Sequence, residues 1–170
     1  IRKGRAWNEP KLKVEWLEPR AMLAGNILAS VDAAGNLSIR GDAQANEIEI
    51  VQTAANAYLI TGVDTTVNSG ADFLATGVSG NVNIDLKAGN DTVTFTGAEA
   101  GAGFATNLTG NFTVVDAAGN DSISVSNVTA AGIVKIDAGA GHDAVALTAV
   151  TAGAAGLRVS TGAGNDTVAL

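Results

Sequence analysis

The stretch Val82-Asn-Ile-Asp-Leu-Lys-Ala-Gly-Asn-Asp91-Thr-Val-Thr-Phe95 decides how this chain reads. Apolar and polar residues alternate on both sides of a Gly-Asn-Asp corner. That is the period of strands with one buried face, joined by a sharp turn. Three more segments superimpose on it: Phe112 to Val125 around Asp121, Val134 to Leu147 around Asp143, and Leu157 to Leu170 around Asp166. Nine residues before the corner Asp stand Val82, Phe112, Val134 and Leu157; seven before stand Ile84, Val114, Ile136 and Val159. Two after come Val93, Ile123, Val145 and Val168, and four after come Phe95, Val125, Leu147 and Leu170. All sixteen positions are apolar. A third short strand is expected to begin at Ala98, Val128 and Val150.

Working outward, a degenerate copy surrounds Asn46, with Leu37, Ile39, Ile48 and Ile50 in the same four columns. The corners are spaced by 45, 30, 22 and 23 residues. The first gap leaves room for one more copy over 57–80 (Tyr58, Ile60, Val63, Val67), which lacks a clear corner. The second implies an inserted loop at Gly97-Ala-Glu-Ala-Gly-Ala-Gly-Phe-Ala105. Strands at a fixed period bury their faces by stacking about 4.8 Å apart. The expectation is therefore an all-β, right-handed parallel β-solenoid of about six coils, each of about 22 residues and three short strands. It would fill residues 31–170, with 1–30 as a separate basic segment. An antiparallel sandwich is the competing reading, but it gives no reason for one corner to recur at a fixed period.

Composition suits a thin core. Apolar residues make up 46% of the chain, but aromatics only 4%, and there are 21 Gly. The absence of Cys excludes disulfides, thiolate metal sites and thiol catalysis; a single His makes a zinc or haem site improbable. The net charge of −7 is unevenly distributed. Residues 1–40 carry seven Lys and Arg against four Asp and Glu, and the other 130 carry three against thirteen. Such an acidic body repels nucleic acid and anionic lipid, and it attracts cations. No apolar run is long enough for a membrane span.

The corners read Gly89-Asn90-Asp91, Gly119-Asn120-Asp121, Gly141-His142-Asp143 and Gly164-Asn165-Asp166. Gly supplies positive φ, while Asn and Asp bond nearby amides, so a hydrogen-bonded turn accounts for the motif. The motif also resembles the second half of the calcium-binding repeat of RTX toxins. That resemblance implies Asp91, Asp121, Asp143 and Asp166 as calcium ligands. The match is partial: only the last two corners keep a leading glycine, at Gly139 and Gly162, and the period is about 22 residues instead of nine. No cofactor is required by the turn reading; calcium is the alternative. His142 reads as a turn variant of Asn.

Residues 1–30 lie outside the pattern. Trp16-Leu17-Glu18-Pro19-Arg20-Ala21-Met22-Leu23-Ala24-Gly25 resembles the LEPRxLL motif near the start of large secreted proteins of planctomycete bacteria, with Leu17, Glu18, Pro19, Arg20 and Leu23 matching and Met22 in place of Leu. The resemblance implies an extracellular or cell-surface destination. Pro19 suits the first turn of a short helix ending near Gly25, and the segment with its two Trp is read as a cap. The alternative is part of a targeting signal, whose apolar stretch 21–29 is interrupted by Gly25 and Asn26.

The expected function is architectural: a stiff acidic segment of a surface or secreted protein, and not an enzyme. Alternatives are a calcium-binding module and a polysaccharide-active or carbohydrate-binding surface. For the last, Asp85 and Asp137 would sit about 10 Å apart, at the far edge of inverting carboxylate separations. Asp137 lies between Lys135 and Arg158, however, and no aromatic lines that face to hold a sugar. The pattern reaches Leu170 halfway round a coil, so self-association or continuation of the same repeat is expected.

Overall fold

The computed structural model describes residues 25–98 and 101–170. The strands are β1 Asn26–Val31, β2 Leu37–Arg40, β3 Glu47–Ala54, β4 Ala57–Gly62 and β5 Thr66–Val67. They continue with β6 Asp72–Thr76, β7 Val82–Ala88, β8 Thr92–Thr96, β9 Asn107–Leu108 and β10 Phe112–Ala118. The last are β11 Ser122–Ala130, β12 Val134–Asp137, β13 Ala144–Ala152, β14 Leu157–Ser160 and β15 Thr167–Ala169. No helix among the described residues is long and apolar enough to cross a membrane. The LEPRxLL-like residues Leu17, Glu18, Pro19, Arg20 and Leu23, and the expected helix around them, lie outside the described residues. β1 crosses the boundary placed at residue 30.

The all-β expectation holds, but the right-handed parallel β-solenoid of about six coils does not. The strands form two mixed sheets, ordered β14-β12-β10-β7-β2-β1-β5 and β15-β13-β11-β8-β3-β4-β6, with β9 beside β11. Three pairs are antiparallel: β1 with β2, β3 with β4, and β4 with β6. Short connections cause the first two, since parallel neighbours need a long crossover and a tight turn can only reverse the chain; β4 and β6 are joined through residues 63–71, which include β5. Ala54 pairs with Ala57 across a two-residue turn in which Asn56 has φ of 57°. Between β1 and β2, the Asp32 carboxylate accepts from the amides of Ala34 and Asn36 at 2.9 Å each, and Gly35 takes φ of 77°. The supposed extra coil at 57–80 is thus a pair of hairpin strands, β4 and β6, flanking the short β5.

Beyond these hairpins, the aligned columns of the sequence are in-register parallel neighbours. Phe112 lies beside Val82 and Val134, and Val134 beside Leu157. Ile123 lies beside Val93 and Val145, and Val145 beside Val168. The insertion falls where expected, between β8 and β9. The third-strand expectation needs correcting: Val128 and Val150 lie within long strands that run on past Asn127 and Ala149, both at positive φ, while Ala98 is in no strand.

Both sheets contribute to one core. Leu37, Ile39, Val82, Ile84, Phe112, Val114 and Ile136 come from the first, and Ile48, Ile50, Val93, Phe95, Ile123 and Val125 from the second. Phe95 is its pivot, with ring centroids 4.8 Å from Phe112 (edge-on) and 5.6 Å from Tyr58. Aromatics are few in the chain, but these three are fully buried together.

Candidate metal centre

Each Gly-Asn-Asp corner sits at a hand-over from the first sheet to the second: β7 to β8, β10 to β11, β12 to β13, β14 to β15. The glycines are forced by stacking. A Cβ on Gly119 would run into the carbonyl oxygen of Gly89, and one on Gly141 into that of Gly119. Gly89, Gly119, Gly141 and Gly164 have φ of 144°, 153°, 157° and 152°.

The corner carboxylates form a ladder. The amide of Asn46 donates to Asp91 Oδ1 at 2.7 Å, that of Asp91 to Asp121 Oδ1 at 2.8 Å, that of Asp121 to Asp143 Oδ1 at 2.9 Å, and that of Asp143 to Asp166 Oδ1 at 3.1 Å. Asp91, Asp121 and Asp143 are buried, so each bond satisfies an amide that water cannot reach. An outer ladder uses the residue before. The amide of Asn120 donates to Asn90 Oδ1 at 2.9 Å, that of His142 to Asn120 Oδ1 at 2.8 Å, and that of Asn165 to His142 Nδ1 at 3.0 Å. His142 Nδ1 therefore accepts a bond in the place where an Asn side chain accepts in the neighbouring corner. A third ladder, which sequence reasoning missed, lies at the start of the first-sheet strands. The amide of Asn81 donates to Asn36 Oδ1, that of Asn111 to Asn81 Oδ1 and that of Ile133 to Asn111 Oδ1, at 2.8, 2.8 and 3.0 Å. The recurrence of Asn36, Asn81 and Asn111 ten residues before the corner positions 46, 91 and 121 was the available signal.

A second missed residue is more consequential. Five residues before the corner stand Leu86, Asp116 and Ala138. Leu86 and Ala138 are fully buried in the core, and Asp116 occupies the same inward column with 3% of its surface exposed. A carboxylate there is not explained by the strand pattern, because burying an unpaired charge is costly. Asp116 is held beside two corner residues: carboxylate oxygens of Asp91, Asp116 and Asp121 all lie within 4.8 Å of one another. Of the four expected ligands, Asp91 and Asp121 enter this cluster, while Asp143 and Asp166 do not. The trio could hold a metal ion.

Its electrostatics are uncompensated. The two ion pairs among the described residues lie elsewhere, Lys87 with Asp85 and Lys135 with Asp137, the latter at 3.2 Å. Lys87 is the register neighbour of Asp116 on β7, but its ammonium turns to Asp85. Asp116 Oδ1 accepts from the Ala117 amide at 2.9 Å, while the Oδ2 atoms of Asp91, Asp116 and Asp121, like that of Asp143, are buried with no amide or other donor group facing them. The Asp91 and Asp116 carboxyls lie within hydrogen-bonding reach of each other, so a proton on Asp116 is shared with Asp91. Burial, then the charges of Asp91 and Asp121, push Asp116 up to about 8. Burial also raises Asp121 to about 6, with Asp91 and Asp143 adding to it against the bond from the Asp91 amide. Asp91 is raised as well, chiefly by burial.

The polar face considered for carbohydrate holds the Lys135–Asp137 pair, with Arg158 beside Lys135 in register. No family model, no curated protein and no solved structure matches this chain.

Proposed function

We propose that this segment is a structural scaffold of an extracellular or cell-surface protein, its stiffness supplied by side-chain ladders that tie successive strands together. The observation that carries the reading is the buried Asp ladder. It commits four recurring corner carboxylates to backbone amides, a use that serves rigidity. The acidic body and the LEPRxLL-like stretch support the surface destination. Antibody labelling of intact producing cells, compared with lysed ones, tests it. Labelling of intact cells is expected; a pool reached only after lysis would overturn the reading.

A second reading, calcium binding, is favoured by the buried oxygens left unpartnered around Asp116. On that reading calcium is the stabilising ion, with a preference for hard oxygen ligands and a loose geometry suited to carboxylates. Millimolar calcium should then raise the melting temperature, and a chelator should reverse the rise.

A further inference from the structure

We propose that Asp91, Asp116 and Asp121 form one discrete divalent-cation site per chain, with Asp116 as its determining ligand. This rests on the calcium reading but differs from the corner row suggested by the sequence. Two independent observations converge on it. The three carboxylates meet within 4.8 Å, and each keeps a buried Oδ2 that no amide, hydroxyl or cationic group reaches. The corner residues Asp91 and Asp121 are needed by the ladder through Oδ1, which leaves Oδ2 for another role. Asp116 has no ladder role. At the same distance before the corner the neighbouring repeats carry the buried apolar side chains of Leu86 and Ala138, and the break in register that sets Asp116 beside Lys87 brings no ion pair between them.

The geometry also points to the class of ion. Opposed ligands around calcium stand about 4.6–5.2 Å apart, twice its bond length, whereas magnesium draws them to about 4.0–4.2 Å. Three carboxylate oxygens gathered within 4.8 Å of one another fit the loose oxygen geometry that calcium accepts more readily than magnesium. An all-oxygen, all-carboxylate set excludes the soft metals that favour sulfur or imidazole. Asp116 belongs to β10 in the first sheet, while Asp91 and Asp121 immediately precede β8 and β11 in the second. A bound ion would therefore clamp two successive hand-overs between the sheets.

The test is calorimetric titration of the full chain with calcium chloride, and separately magnesium chloride, alongside thermal melts. One calcium per chain is expected, with binding about tenfold or more weaker for magnesium and a melting rise of about 5 °C in excess calcium. Asp116→Asn should fold, because the amide keeps the shape and the Oδ1 bond, yet lose the binding and the rise. Asp166→Asn should keep both. If Asp116→Asn still binds while Asp143→Asn with Asp166→Asn does not, the ion sits on the corner row: this site is overturned and the calcium reading survives. If the wild-type chain binds neither ion, both are overturned.

Discussion

Replacing Asp116 by Asn should flatten the dependence of stability on pH in the ion-free protein. Three carboxyls within 4.8 Å repel by about 3 kcal/mol per ionised pair at an effective dielectric of 20. Burial first, and this repulsion with it, makes the folded state hold on to protons that the unfolded chain releases near its ordinary value of 3.8. A raised folded pKa gives stability that is complete below the unfolded value and lost as pH climbs through the folded one. For Asp116 that window runs from 3.8 to about 8. At about 1.4 kcal/mol per unit, the loss is on the order of 5 kcal/mol across it. Asp121, whose window closes near 6, adds up to about 3 kcal/mol. Such losses are comparable to the whole stability of a typical domain, about 5–15 kcal/mol. The amide introduced at this position would carry no titrating proton, and its NH2 could donate to an unpartnered oxygen of Asp91. Urea unfolding in EDTA, from about pH 3.5 to about pH 8.5, is the assay. Wild type should weaken steadily with pH, while Asp116→Asn should match it at the acid end and exceed it by several kcal/mol at the alkaline end, by the same accounting. Parallel curves for the two proteins would refute the reasoning.

Two other substitutions probe the frame around the cluster. Ile136→Asn should cost about 3 kcal/mol by placing an unpaired amide in the core, whereas Lys135→Asn, one residue away on the other face, should stay within about 1 kcal/mol; denaturant midpoints compare them. Gly141→Ala should lower the melting temperature by several degrees, because its new methyl meets the Gly119 carbonyl, while Gly101→Ala, with open space around it, should not show a collision of this kind.

Much of this arrangement is legible in the sequence, and its gaps have physical causes. The apolar columns fix which side chains face inward, so Ile84, Ile123 and Ile136 are placed correctly and their neighbours pair as aligned. Period-two alternation carries no information about strand direction, however. Ile48 and Ile50 on β3, Tyr58 and Ile60 on β4, and Ala75 on β6 alternate as a parallel stack would, yet the chain reverses at Ala55-Asn56, a turn without the Gly that usually marks one. The corner Asp residues stood out because they recur. Asp116 did not, for the opposite reason: it is the departure from its column, visible only once Leu86 and Ala138 are known to be core positions.

The ladders run in opposite senses along the chain. In the buried Asp series, each corner amide gives its hydrogen to a carboxylate further toward the C-terminus; in the exposed Asn series, each amide gives its hydrogen to a side chain nearer the N-terminus. As the polypeptide leaves the ribosome, the amide of Asp91 waits for residue 121 and that of Asp121 waits for residue 143. Meanwhile the side chains of Asn90 and Asn120 already stand ready as acceptors for the layer to come. Each corner is thus tied to the preceding one through a wet, exposed bond and to the following one through a dry one, so that the Asp143 amide has its partner only when residue 166 is in place.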